Sequence, residues 1–142
     1  MNIYFSCSIT GGRDDQHIYE KMVEFLISRG HEIPTAHLSK ADVMEDERVI
    51  SPLDVYQRDV NWVDECDVLI AEVSTPSHGV GYEIALALLQ EKPVLCCYHE
   101  GRTVSKMILG NTKPTLSLYA YKDAPDVLGA LDRYLGELEY AA

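Results

Sequence analysis

Two carboxylates stand where apolar residues are expected. Between Val80 and Leu89, Glu83 is the sole charged residue, set among Val80, Ile84, Ala85, Leu86, Ala87, Leu88 and Leu89. A helix that is apolar nearly all round is a buried helix, and a carboxylate in its first turn gains from the helix dipole and stays ionised. Such a group is either a capping carboxylate or a nucleophile facing a ligand cleft. Asp59 falls inside the helical stripe Val55, Asp59, Trp62, Val63. Carboxylates are rarely buried unless paired or working, so Asp59 is either half of an ion pair with Arg58 or Arg13, or an acid. Two carboxylates at one sugar-sized cleft suggest glycosidic chemistry, where one attacks the anomeric carbon and the other gives and then takes a proton. The pair needs unequal pKa values; burial raises Asp59 and a helix N-terminus lowers Glu83. Glu72 is a third candidate, standing behind the other two.

A second constellation is the run Ser6-Cys7-Ser8-Ile9-Thr10-Gly11-Gly12-Arg13. It supplies hydroxyls, two glycines that let backbone approach a ligand, and a forked donor, and it ends where a helix begins. Helix N-termini and arginine bind phosphate; the alternative is a Gly-Gly turn with a solvated arginine. Gly-Lys followed by Ser or Thr is lacking, so this is no triphosphate loop. Gly79-Val80-Gly81-Tyr82-Glu83-Ile84 imitates a dinucleotide fingerprint, but Ile84 replaces the third glycine and Glu83 would repel a pyrophosphate. The five histidines and four cysteines show no ligand spacing. Neither a metal nor a cofactor is expected.

The elements that must position these groups alternate. Strands are predicted over 2–7, 31–35, 67–73, 93–98 and 115–121. Helices are predicted over 15–29, from Ser51-Pro52 to 65, over 79–90 and 102–109, and from Asp123 onward, with residues 37–50 as an irregular loop. Alternating strands and helices give a parallel sheet with helices on both faces. The expectation is one domain over residues 1–142: a flavodoxin- or Rossmann-like three-layer sandwich on a five-stranded parallel sheet of order 2-1-3-4-5. Ligands then sit beyond the strand C-termini at the switch point, between Ser6–Arg13 and Ser74–Glu83.

Composition bounds the partners. Twelve Lys and Arg stand against 23 Asp and Glu, a formal net charge of −11, which repels a nucleic-acid polymer. No apolar run approaches the roughly 20 residues of a membrane span. The first residues read as a strand and not as a leader. Cys7, Cys66, Cys96 and Cys97 form no CxxC pair and are expected as buried reduced thiols of a cytoplasmic protein.

Tyr4-Phe5-Ser6-Cys7-Ser8-Ile9-Thr10-Gly11-Gly12-Arg13 resembles the YFCGSIRGGR opening of the 2′-deoxynucleoside 5′-phosphate N-hydrolase family, within the nucleoside deoxyribosyltransferase-like superfamily. The resemblance continues in Asp59-Val60-Asn61-Trp62, Asp67 to Val73, Pro76-Ser77-His78-Gly79-Val80-Gly81-Tyr82-Glu83, Gly101 to Ile108 and Leu131-Asp132-Arg133-Tyr134. It implies hydrolysis of 2′-deoxynucleoside 5′-monophosphates to free base and 2-deoxyribose 5-phosphate. Glu83 matches the family's nucleophile, Asp59 its acid/base and Tyr4 its active-site tyrosine. Ser6, Ser8, Ile9, Thr10, Gly11, Gly12, Arg13, Ser77 and Gly79 match substrate-binding positions, and His37 best matches a base-pocket histidine. Ser105, with Met107 beside it, matches a serine reaching the neighbouring subunit's site, which implies a homodimer.

Thr10 and Cys7 depart from the family motif, and residues 37–52 match poorly. Base preference and the choice between deoxyribo- and ribonucleotide, including hydroxymethylated cytidine monophosphate, stay open. So do deoxyribosyl transfer between free nucleosides and a nucleotide-binding sensor without turnover.

Overall fold

Four apolar runs pair in parallel, and their alternating side chains feed two separate cores. The computed structural model describes the backbone of all 142 residues and every side chain except that of Asp46. Strands β1 (Ile3–Ser6), β2 (Val68–Glu72), β3 (Val94–His99) and β4 (Leu116–Tyr121) lie in the order β1-β2-β3-β4. Every residue of β1 and β2 is buried, as a parallel sheet covered on both faces requires. On one face Ile3, Phe5 and Ile70 pack with α1 (Gln16–Ser28), through Tyr19, Met22 and Leu26, and with α6 (Ala124–Ala141), through Val127 and Leu131. On the other, Tyr4, Leu69 and Ala71 pack with Val63 of α3 (Pro52–Glu65) and with Val80, Ile84 and Leu88 of α4 (His78–Leu89). Successive strand residues point to opposite faces, so β1 sends Tyr4 toward the carboxylate-bearing helices and Phe5 away from them.

The expected five strands are four. The segment 31–35 makes only a parallel bridge from Glu32 to Asn2, because Pro34 has no N–H to give. The Thr35 hydroxyl takes over: it accepts from Phe5 N–H at 3.0 Å and donates to Phe5 C=O at 2.8 Å. Residues 37–50 are also more ordered than an irregular loop. They form a 3-10 turn (Ala36–Ser39) and helix α2 (Val43–Arg48), pinned by the buried Leu38 and Val43. The helix predicted over 102–109 shrinks to α5 (Lys106–Leu109), since Ser105 Oγ caps it late, accepting from Met107 N–H. No helix among the described residues is long and apolar enough to cross a membrane.

Local signals set the helices that matter. Ser51 Oγ accepts from Asp54 N–H and Pro52 opens α3; Ser77 Oγ accepts from Val80 N–H and opens α4. Both helices run back across the face that Tyr4 occupies.

Candidate active site

The structure brings Asp59 and Glu83 together. They line one hollow of about 140 Å³ between α3 and α4, with Tyr56, Val60, Val63, Gly79, Tyr82 and Leu86. Ser6, at the end of β1 and buried, donates its hydroxyl to Glu83 Oε2 at 2.7 Å. Tyr4 rises from the same strand. Its hydroxyl is buried without a partner in bonding geometry, yet close enough that the charges of Glu83 and Asp59, after burial, push its pKa far up.

Burial is the largest influence on Glu83 and pushes its carboxyl up to about 7; Ser6 and Tyr4 pull the other way and lose. A sequence position in the first turn of a helix predicts an ionised carboxylate. Burial acts against that, because the carboxylate reaches toward β1 to meet Ser6 and leaves water behind. The pKa of Asp59 is also raised, by burial first, with the Arg58 guanidinium opposing. The pair therefore differs less in environment than its sequence suggests.

Asp59 carries the ion pair that its stripe position allowed. Arg58 Nε donates to Asp59 Oδ1 at 2.8 Å, and Arg58 Nη1 donates to Glu47 Oε1 at 3.0 Å. The guanidinium lies over the Trp62 ring, 5.0 Å from its centre. His37 Nε2 is 3.3 Å from Glu47 Oε1, and its ring meets Trp62 edge-on at 5.9 Å. The stretch carrying His37 and Glu47 thus closes on α3 beside the acid candidate. Nothing local in the sequence singles out Glu47; its role appears only through Arg58, which is 11 positions further on.

The anion loop is built as its glycines demand. A Cβ at Gly11 would lie 2.2 Å from the Pro76 carbonyl, and Gly12 has φ +136°, a conformation that L side chains rarely adopt. Ser8 Oγ is buried with no partner, as is Arg13 Nε. The rest of the arginine is engaged: Nη1 donates to Ser8 C=O at 2.9 Å and Nη2 to Lys40 C=O at 2.7 Å. Ile9 is half-buried and Thr10 exposed at the tip. Arg13 therefore shapes the loop from behind, and unpaired donors are turned inward.

Ser105 and Met107 do not join this hollow. With Ser77 they line a wider groove of about 660 Å³ between α4 and α5, walled by Val80, Ile84, Leu88 and Ile108. Met107 is 84% exposed there. The first turn of α4 separates the two depressions, with Gly79 on one side and Ser77 on the other. The fully apolar helix surface is likewise not fully covered: Tyr82 and Leu89 are exposed. The four cysteines are all buried and unbridged.

Raised carboxyl pKa values are also stability statements. Glu83 and Glu72 both stand at about 7 in the folded chain against an ordinary value of 4.5. Each folded-state carboxyl binds its proton more tightly than the unfolded one, so its contribution is fully present below about 4.5 and is lost as pH rises through about 7. The melting temperature is expected to fall between pH 5 and pH 8. Glu83→Gln should flatten part of that fall; an unchanged slope would show that Glu83 titrates as an ordinary carboxyl.

Residues 3–125 match the nucleoside 2-deoxyribosyltransferase family. A 5-hydroxymethyl-dUMP N-hydrolase of Danio rerio is 38% identical over 97% of this chain and 98% of its own. A protein of Thermofilum pendens, provisionally named a 2′-deoxynucleoside 5′-phosphate N-hydrolase, is 38% identical over 95% of both chains. The solved structure of the Clostridium botulinum CMP N-glycosidase superposes with a TM-score of 0.72 at 23% identity, covering 94% of this chain and 99% of that one, a likeness of fold. The four-stranded parallel sheet, the motif-bearing loops at its C-terminal edge and these matches agree: the chain belongs to the nucleoside 2-deoxyribosyltransferase family.

Proposed function

We propose that the chain hydrolyses the N-glycosidic bond of 2′-deoxynucleoside 5′-monophosphates, releasing free base and 2-deoxyribose 5-phosphate. The observation that carries this reading is the single hollow lined by both Asp59 and Glu83, with Ser6 fixing one Glu83 oxygen. The names of relatives at 36–40% identity support the substrate class. In this reading the free Glu83 oxygen attacks C1′ as the C1′–N bond breaks, and Asp59 gives the departing base a proton. Asp59 then takes a proton from water, which opens the glycosyl ester and returns Glu83. A 2-deoxy sugar lacks the electron-withdrawing hydroxyl beside C1′, so its oxocarbenium-like transition state forms readily and departure of the base is what needs help.

In this reading the phosphate goes to Ser8–Arg13 and Ser77, where Gly11 lets the anion loop approach Pro76 just before the N-terminus of α4. Binding energy spent there, away from the reacting centre, fixes the sugar over Glu83. His37 and the Trp62 side of α3 border the base. The serine at 105 lies outside the hollow of its own chain, which supports a homodimer in which Ser105 and Met107 complete the neighbour's site.

One experiment tests both parts. Protein sized by sedimentation is incubated with deoxycytidine, its 5′-monophosphate, 5-hydroxymethyl-dUMP and the common ribonucleotides, and free base is followed by chromatography. A dimer releasing base from a deoxynucleotide faster than from the nucleoside is expected. Equal rates with nucleoside, and transfer to an added base, would replace hydrolysis by deoxyribosyl transfer.

A further inference from the structure

Glu72 is fully buried at the end of β2, and the proposed chemistry does not use it. Its Oε1 accepts from Ser74 N–H at 2.7 Å, and its Oε2 has no partner. The titratable groups within electrostatic reach of it are Asp15 and Tyr19 from α1 and its cap, Cys7 from the anion loop, Cys97 from β3, Tyr121 from β4 and Arg102 from the turn after β3. The hydroxyls of Tyr19 and Tyr121 are themselves buried and unpaired. Arg102, the cation in this set, is already committed: its Nη2 donates to Asp15 Oδ1 at 2.8 Å.

These bonds converge on one short segment. Asp15 Oδ2 accepts from the Thr75 hydroxyl at 3.0 Å, and Ser74 Oγ accepts from His99 N–H at 2.8 Å. Immediately beyond, the Pro76 carbonyl presses on Gly11 and Ser77 caps α4. Wherever Ser74–Ser77 sits, the anion loop and the helix that carries Glu83 must follow.

We propose that Glu72 is a positioning residue that works as the neutral acid, anchoring Ser74–Ser77 against the anion loop without placing a charge in the core. The nucleotide reading above supplies only the expected consequence for substrate, not the anchor itself. Burial supports the neutral form, pushing this carboxyl up to about 7. Once ionised, Glu72 places a charge in the core with no cation bonded to it, since Arg102 is bonded to Asp15, and relief of that cost loosens the segment.

The test is amide hydrogen exchange of the free protein from pH 6 to 8.5, for the wild type, Glu72→Gln and Glu72→Ala. The amide keeps the acceptor for Ser74 and the shape of the acid but cannot titrate. Wild-type protection at Ser74, Val80 and Gly81, whose N–H groups bond to Glu72 and to Ser77, is expected, corrected for intrinsic exchange, to fall about tenfold across this range. Glu72→Gln should hold it constant. Glu72→Ala, where it folds, should show low protection at every pH. The ratio of the wild-type KM to the Glu72→Gln KM for a deoxynucleoside monophosphate, taken at each pH so that the titration of Glu83 cancels, should rise across the same range. Protection that is flat with pH in the wild type, or Glu72→Gln falling with pH as the wild type does, would overturn the proposal. Protection behaving as expected in a protein that turns over no nucleotide would remove the functional reading and leave the anchor standing.

Discussion

Glu83→Ala is expected to abolish base release, a loss on the order of 10⁴-fold or more, in a protein that still melts cooperatively. Among the described side chains that line the hollow, Asp59 is the one other carboxyl, and the Arg58 guanidinium holds one of its oxygens. The same reasoning fixes a pH dependence. Attack requires the ionised form, and the carboxyl stands at about 7 in the folded chain. Departure of the base requires Asp59 protonated, so the kcat/KM of the wild type should be bell-shaped in pH, whereas the residual rate of Asp59→Asn, in which Glu83 alone of the pair titrates, should rise with pH through that value. A residual rate already at plateau by pH 5 would mean that the Ser6 bond outweighs burial. A well-folded Glu83→Ala enzyme of near wild-type rate would falsify the nucleophile assignment outright.

Asp59→Asn is expected to be the second largest loss, about 10² to 10⁴-fold, the usual range for general acid–base catalysis. The amide oxygen can still accept from Arg58 Nε, so the Arg58–Glu47 arrangement and nucleotide binding should survive within a few-fold. The discriminating measurement is leaving-group dependence. A substrate whose base departs easily needs little protonation, so the deficit in the release of base should shrink as the leaving group improves. A deficit that is constant across leaving groups would make Asp59 a structural partner of Arg58 and move the acid role elsewhere.

The fold's framework was legible where a short signal decides an element. Ser51-Pro52 opens α3, Asp123 caps α6 and receives Asp126 N–H, and the apolar runs at 67–73 and 93–98 became β2 and β3. The edge segment at 31–35 misled because Ile33 and its neighbours read as a strand while Pro34 breaks its ladder. Helix α2 was invisible because its buried anchor, Val43, stands in an otherwise polar stretch. In the site, residue types sufficed to pick out Asp59, Glu83 and the Gly11-Gly12 turn. The ionisation of Glu83 could not be read so, because it depends on how far the side chain reaches toward β1, a depth no pattern of residue types encodes. Nor could the bond from Arg102 to Asp15, 87 positions apart.

The Thr35 hydroxyl has a consequence for how copies of this molecule meet. An open strand edge is a template on which a second chain can add a strand, and long flat edges invite aggregation. Here one side chain occupies both the N–H and the C=O of Phe5, and Glu32 occupies the N–H of Ile3. The outward rim of β1 is covered at Ile3 N–H and at Phe5 by a bridge and a hydroxyl instead of a fifth strand. Growth of a continuous sheet from copy to copy is opposed on that side, leaving β4 as the open flank of the sheet among the described residues and the helical faces free to carry any specific assembly.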